Sequence, residues 1–161
     1  IGLMGYTSRF LTITKGTGVI NRLFHGYGKF EGEMDGRKNG ALISMATGKA
    51  VAFAIFNLQA RGEMFVTHND PVYEGMIVGL APKPGDMIIN VMKGKQLTNM
   101  RTQGTDENVV LTPVRQMSIA EQLSMLNTDE ALEITPKSLR LRKAILNPND
   151  RKKNEKSETP L

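Results

Sequence analysis

The chain has 161 residues, 40% of them apolar and 23% charged, and a net charge of +5; that suits one ordinary domain with a core of its own. With no cysteine and only His25 and His68, it excludes a disulfide framework, a thiolate or multi-histidine metal cage and a cysteine nucleophile. Apolar runs such as residues 50–56 fall well short of the ~20 residues a membrane span needs, and no basic-then-apolar leader opens the sequence, so a cytoplasmic setting is expected.

In chain order, Leu3, Tyr6, Phe10 and Ile13 recur at spacings of three and four, which predicts a helix over residues 3–14, closed by Gly16 and Gly18. Residues 19–25 are branched and aromatic and predict a strand. A helix and one strand cannot close a core, so residues 1–30 read as the end of a larger domain. Residues 26–40 are glycine-rich and charged, which marks a linker and places a boundary near residue 30. Residues 41–46 and 49–55 predict strands, with Thr47-Gly48 as a two-residue hairpin turn, followed by one helical turn at 56–61. Strands are expected at 64–67, 76–80, 87–91 and 109–111; Asn69-Asp70-Pro71 and residues 82–86 supply breaks. Ser118 and Glu121 form a capping box, and Ile119, Leu123 and Leu126 form an apolar stripe behind it. Residues 131–134 and 138–141 predict the last strands. The basic tail, residues 148–161, reads as disordered. The expected class is therefore α+β, with a mostly antiparallel β domain at 31–147 and one or two short helices.

The positive charge is concentrated. Between Lys137 and Glu158 eight basic side chains stand against three acidic ones, and the rest of the chain balances at thirteen of each. Residues 92–108, MKGKQLTNMRTQGTDEN, separate two expected strands and have no hydrophobic period of their own; connections of that length are usually functional or disordered. Lys93, Lys95 and Arg101 lie there with no acid between Asp86 and Asp106, accompanied by the amides of Gln96, Asn99 and Gln103. Arginine grips phosphate bidentately and lysine acts as a point charge, so the span reads as a finger for folded RNA. Arg37-Lys38 and Arg140, Arg142 and Lys143 could join it. Neutralising about five phosphates would lower affinity by roughly two to three decades between 50 and 200 mM salt. The finger holds no aromatic residue, which favours backbone and shape recognition over base stacking.

Catalytic motifs are only approximated. Residues 46–50, ATGKA, lack both the first glycine (Ile43 stands there) and the hydroxyl (Ala50 stands there) of a phosphate-binding loop. His68 and Asp70 sit near each other on a turn without a nucleophile, and no pair of carboxylates suggests acid–base work. The sequence points to no active site and no metal.

Residues 2–27, GLMGYTSRFLTITKGTGVINRLFHGY, resemble the end of domain V, a ferredoxin-like domain, of elongation-factor-G-type translational GTPases. The runs NGALISMATGKAVAFAIFNLQARG, VYEGMIVG, GKQLTNMRTQGTDE and ITPKSLRLRK resemble the C-terminal domain of the BipA, or TypA, family. The family's block reads KKLTNMR-x-x-G-x-DE; Gln96 replaces one of its paired lysines, and Ile1 stands where arginine precedes Gly-Leu. The resemblance implies a ribosome-dependent GTPase acting in large-subunit assembly and in stress- or cold-responsive translation. Its G domain, with GTP and Mg²⁺, would lie upstream. It also implies contact with the large ribosomal subunit, ribosomal RNA and the acceptor end of transfer RNA, with Lys93, Lys95, Asn99 and Arg101 in the finger touching RNA. No membrane and no oligomer are expected. The competing reading is a β module that docks a protein, its basic loop and tail serving solubility.

Overall fold

The computed structural model describes residues 6–29, 37–94 and 110–158. Helix α1 (Tyr6–Ile13) follows from the three-four spacing, and the rings of Tyr6 and Phe10 meet one turn apart at 6.2 Å. It closes as its glycine predicts. Gly16 takes φ +78° and its N–H bonds the Leu11 carbonyl at 2.7 Å, the left-handed closure that a residue without Cβ makes cheaply. The strand expected at 19–25 is corrected: these residues form no strand, and Leu23 and Tyr27 are 94% and 99% exposed. A strand must satisfy its N–H and C=O groups on a neighbour, and none of the described residues provides one. His25 is likewise exposed.

The central sheet has four strands in the order β3 (Glu63–Met64), β5 (Ile77–Leu80), β1 (Ala41–Ser44), β6 (Met87–Ile89). β1 runs antiparallel to β5 and parallel to β6, and β3 antiparallel to β5. This corrects the Thr47-Gly48 hairpin. β1 is a central strand with a neighbour on each side, so the short β2 (Gly48–Lys49) cannot pair with it; β2 pairs instead with β4 (Pro71–Val72). Residues 52–55, expected to continue as strand, join the helical turn expected at 56–61 in helix α2 (Ala52–Gln59), which buries Ala54, Ile55 and Leu58. The short strand expected at 109–111 is also absent over the described residues 110–111. A side-chain amide takes the place of a partner strand just beyond: Gln59 donates to the Thr112 carbonyl at 2.8 Å and accepts from its N–H at 3.1 Å.

All four residues of β1 are buried because both faces of the sheet are covered. Leu42 points to the side of Ile55, Leu58 and Val78, and Ala41 and Ile43 to the side of Ile77 and Leu141. The second face is covered by α3 (Ile119–Ser124) and by the hairpin of β7 (Glu130–Ile134) and β8 (Leu139–Lys143), with half-buried Met117, Leu126 and Leu132 packed against it. The hairpin joins the sheet through a bridge between Met76 and Arg142 and through Lys143 N–H to the Gly75 carbonyl at 2.9 Å. Gly75 is needed there: its φ is +82°, and a Cβ would lie 2.7 Å from the Leu146 backbone.

The tail is corrected too. Residues expected to be disordered form α4 (Pro148–Glu158). Proline at the first helical position is pre-set for the helix, Asn147 Oδ1 accepts from the Asn149 N–H at 2.8 Å, and Arg151 donates to the Ile145 and Leu146 carbonyls. Composition favoured disorder, but local capping starts the helix. No helix among the described residues is long and apolar enough to cross a membrane.

Candidate nucleic-acid interface

The cations singled out in the sequence fall into two groups. Arg37 and Lys143 are corrected as RNA contacts, because both heads are buried against carboxylates. Arg37 forks onto Glu130 with bonds of 2.7 and 3.0 Å, and the two side chains are 6% and 0% exposed. Lys143, 2% exposed, reaches Asp86 at 2.5 Å, Asp129 at 2.6 Å and Glu130 at 3.1 Å. Burial works against its charge, but the hydrogen bonds it donates to Asp129 and Asp86 and the charge of Glu130 outweigh it and hold the ammonium above the usual lysine value. Burial likewise works against the Asp86 carboxylate, yet the Ala41 N–H and Lys143 bring it below its usual value. This cluster fastens the hairpin and the chain at Arg37 to the sheet.

On the outer face of the hairpin, Arg140 lies 3.8 Å from Glu133, and Arg142 donates to the Lys143 and Ala144 carbonyls. Glu133 also accepts from the Tyr73 hydroxyl; burial and then that hydrogen bond push the phenol up to about 12. Lys38 and Lys93 are exposed, and neither is paired with a carboxylate among the described residues. Lys95, Gln96, Asn99 and Arg101 lie outside the described residues.

One cation escaped the sequence reading. Arg61, just past the end of α2, lines with Lys93 a cleft of about 510 Å³ that Phe53, Asn57, Ile88 and Asn90 also line. Its lining contains no acid, and Arg61 has no ion pair among the described residues. Spacing gave no signal, because Arg61 and Lys93 are brought together only when α2 packs beside β6. A larger groove of about 790 Å³ lies between α3 and the hairpin. Two of its three cations are already engaged, Arg115 by Glu63 and Glu121 and Arg140 by Glu133, which leaves Lys137, against two cations without ion pairs among the described residues in the smaller cleft. His68 and Asp70 are held by local backbone: His68 Nδ1 accepts from the Ala52 N–H at the start of α2, and Asp70 from the Thr67 N–H. The Gly48-Lys49 element is strand β2, not a phosphate-binding turn.

The TypA/BipA C-terminal domain model matches residues 39–148. The chain belongs to the TypA/BipA family. It is 48% identical over 160 residues to the large ribosomal subunit assembly factor BipA of Buchnera aphidicola subsp. Schizaphis graminum, covering 99% of this chain and 26% of that protein. It is 47% identical over 153 residues to the proteins of the same name from Salmonella typhimurium and Escherichia coli K12, covering 94% of this chain and 25% of each. The chain thus spans about a quarter of the length of these TypA/BipA relatives.

Proposed function

We propose that this TypA/BipA region is the RNA-contacting part of a ribosome-associated GTPase and that it holds the protein on the large ribosomal subunit. The observation that carries the reading is the pair Arg61 and Lys93: two exposed cations that line one cleft, with no ion pair and no acid beside them among the described residues, where the basic span 92–108 begins. A phosphate backbone fits such a place because each contact releases condensed counterions. Lys38, Arg140 and Arg142, with Lys95, Gln96, Asn99 and Arg101, extend the contact; Arg37 and Lys143 are withdrawn from it on the ion pairs above. The named role of the relatives, assembly of the large ribosomal subunit, supports the choice of partner. In this reading the protein works in the cytoplasm on ribosomes, approaches ribosomal RNA and the acceptor end of transfer RNA, and serves subunit assembly and translation under stress or cold. GTP and Mg²⁺ belong to a G domain outside these residues, since nothing at 43–50 fits a nucleotide phosphate: Ile43 and Ala50 stand where glycine and a hydroxyl are required.

The test is sedimentation of the chain with purified large ribosomal subunits across a salt series. The double variant Arg61→Ala/Lys93→Ala should bind more weakly, with a salt slope lower by about two and an unchanged melting temperature. Equal binding by the variant, or binding insensitive to salt, would favour the protein-docking reading and sink this one.

A further inference from the structure

The cleft between α2 and β6 carries more than charge. Phe53 and Asn57 stand one turn apart on α2, and both line it. Asn57 donates through Nδ2 to the Phe53 carbonyl at 2.8 Å, which leaves its Oδ1 as an acceptor. Asn90 accepts through Oδ1 from the Met92 N–H at 2.9 Å, which leaves its Nδ2 as a donor. An aromatic ring, an acceptor, a donor and two cations without an ion pair among the described residues therefore line a space of about 510 Å³, within the ~300–1,000 Å³ range of small-ligand sites.

We propose that this cleft takes one unstacked nucleotide of RNA, its base against the Phe53 ring and its flanking phosphates between Arg61 and Lys93. The proposal rests on the RNA-binding reading and deepens it, from backbone attraction to capture of a splayed base. An unpaired base offers all that the lining asks for: a π face for Phe53, an edge with donors and acceptors for Asn57 and Asn90, and negative charge on both sides for the cations. An acidic peptide would satisfy the cations but would leave the ring and the amides without matched partners. The finger residues hold no aromatic side chain, and the fold makes up for that by bringing one in from a helix some forty residues earlier in the chain.

The test uses hexaadenylate and an abasic hexamer of equal phosphate number, followed by fluorescence anisotropy with the 161-residue chain. Hexaadenylate should bind more tightly than the abasic oligomer. Phe53→Leu, which keeps apolar volume on α2, should weaken hexaadenylate about tenfold and leave the abasic oligomer unchanged. Phe53→Trp should restore or exceed the original affinity, and Arg61→Ala should weaken both oligomers. Equal affinity of the wild-type chain for the two oligomers, equal weakening of both by Phe53→Leu, or a hexaglutamate peptide binding as tightly as hexaadenylate overturns the proposal. Loss of ribosome sedimentation with this discrimination intact would remove the ribosome and support the cleft; sedimentation without discrimination would remove the cleft and keep the ribosome.

Discussion

Lys143 shows how far one residue can depart from its apparent role. The sequence LRLRK reads as a basic cluster, and its period of two set Arg140 and Arg142 on one face. The same period puts Lys143 on the face of Leu139 and Leu141, which turns inward. That signal was legible; the three carboxylates that meet it were not, because Asp86 is distant in sequence and arrives only through the packing of the hairpin on the sheet. Removing the ammonium would leave Glu130, fully buried, with Arg37 alone for compensation. Lys143→Met should therefore cost about 3–5 kcal/mol. The pH profile carries the same signature. Asp86 is lowered on folding, so its contribution is present above about pH 3.9 and fades as acid takes the pH through its folded value. Lys143 is raised, so its contribution is full below about pH 10.4 and fades as the pH rises through its folded value. Melting curves across this range should show a plateau with both shoulders, and Lys143→Met should lose the alkaline one. A variant with unchanged stability would show that the cluster is screened by water and is not a fastening.

Among the elements, α3 was announced by its capping chemistry, whereas the pairing of β2 and the start of α2 were decided by neighbours. The capping box is present in full: Ser118 Oγ accepts from the Glu121 N–H, and Glu121 reaches back to the Ser118 N–H at 3.0 Å. Ser118→Ala should lower stability by about 1 kcal/mol in chemical denaturation, and a change below a few tenths would mean that packing alone sets the start of α3. The stripe behind the cap was only partly right. Ile119 and Leu123 are about half exposed, while Gln122 is buried and donates to the Met117 carbonyl. The first half of helix α2 was hidden because residues 50–56 are an unbroken apolar run, so periodicity could not separate a buried helix from a buried strand. The Thr47-Gly48 turn misled for a related reason: a turn dipeptide says nothing about whether the preceding strand already has two neighbours. The cleft of Arg61 and Lys93 depends on this same helix, and that is why half of it went unseen.

At the scale of the molecule, residues 37–94 and 110–148 hold a sheet covered on both faces, while residues 17–29 carry exposed apolar side chains and no strand pairing among the described residues. The rings of Phe24 and Tyr27 meet at 5.3 Å but lie on the surface. Hydrogen exchange should separate the two regions. Amides of residues 19–27 should exchange orders of magnitude faster than those of β1 and β5, whose N–H groups sit in ladders between buried layers. Protection at 19–27 equal to that of β1 would show a strand partner that the described residues do not contain. Which face of the sheet receives the final hairpin was not readable from the sequence, because that contact pairs residues 75–76 with 142–143.

That last contact has a bearing on how the chain is made. A ribosome delivers residues from the amino end, so the central sheet and α2 emerge well before the hairpin that shields their second side. Until Lys143 leaves the exit tunnel, Asp86 waits without the cation that will hold it, and Ile43 and Ile77 face water. Closure of this sheet thus waits until residues 139–143 have been made, and a nascent chain halted short of that point would display an apolar surface with an acidic mark at its border.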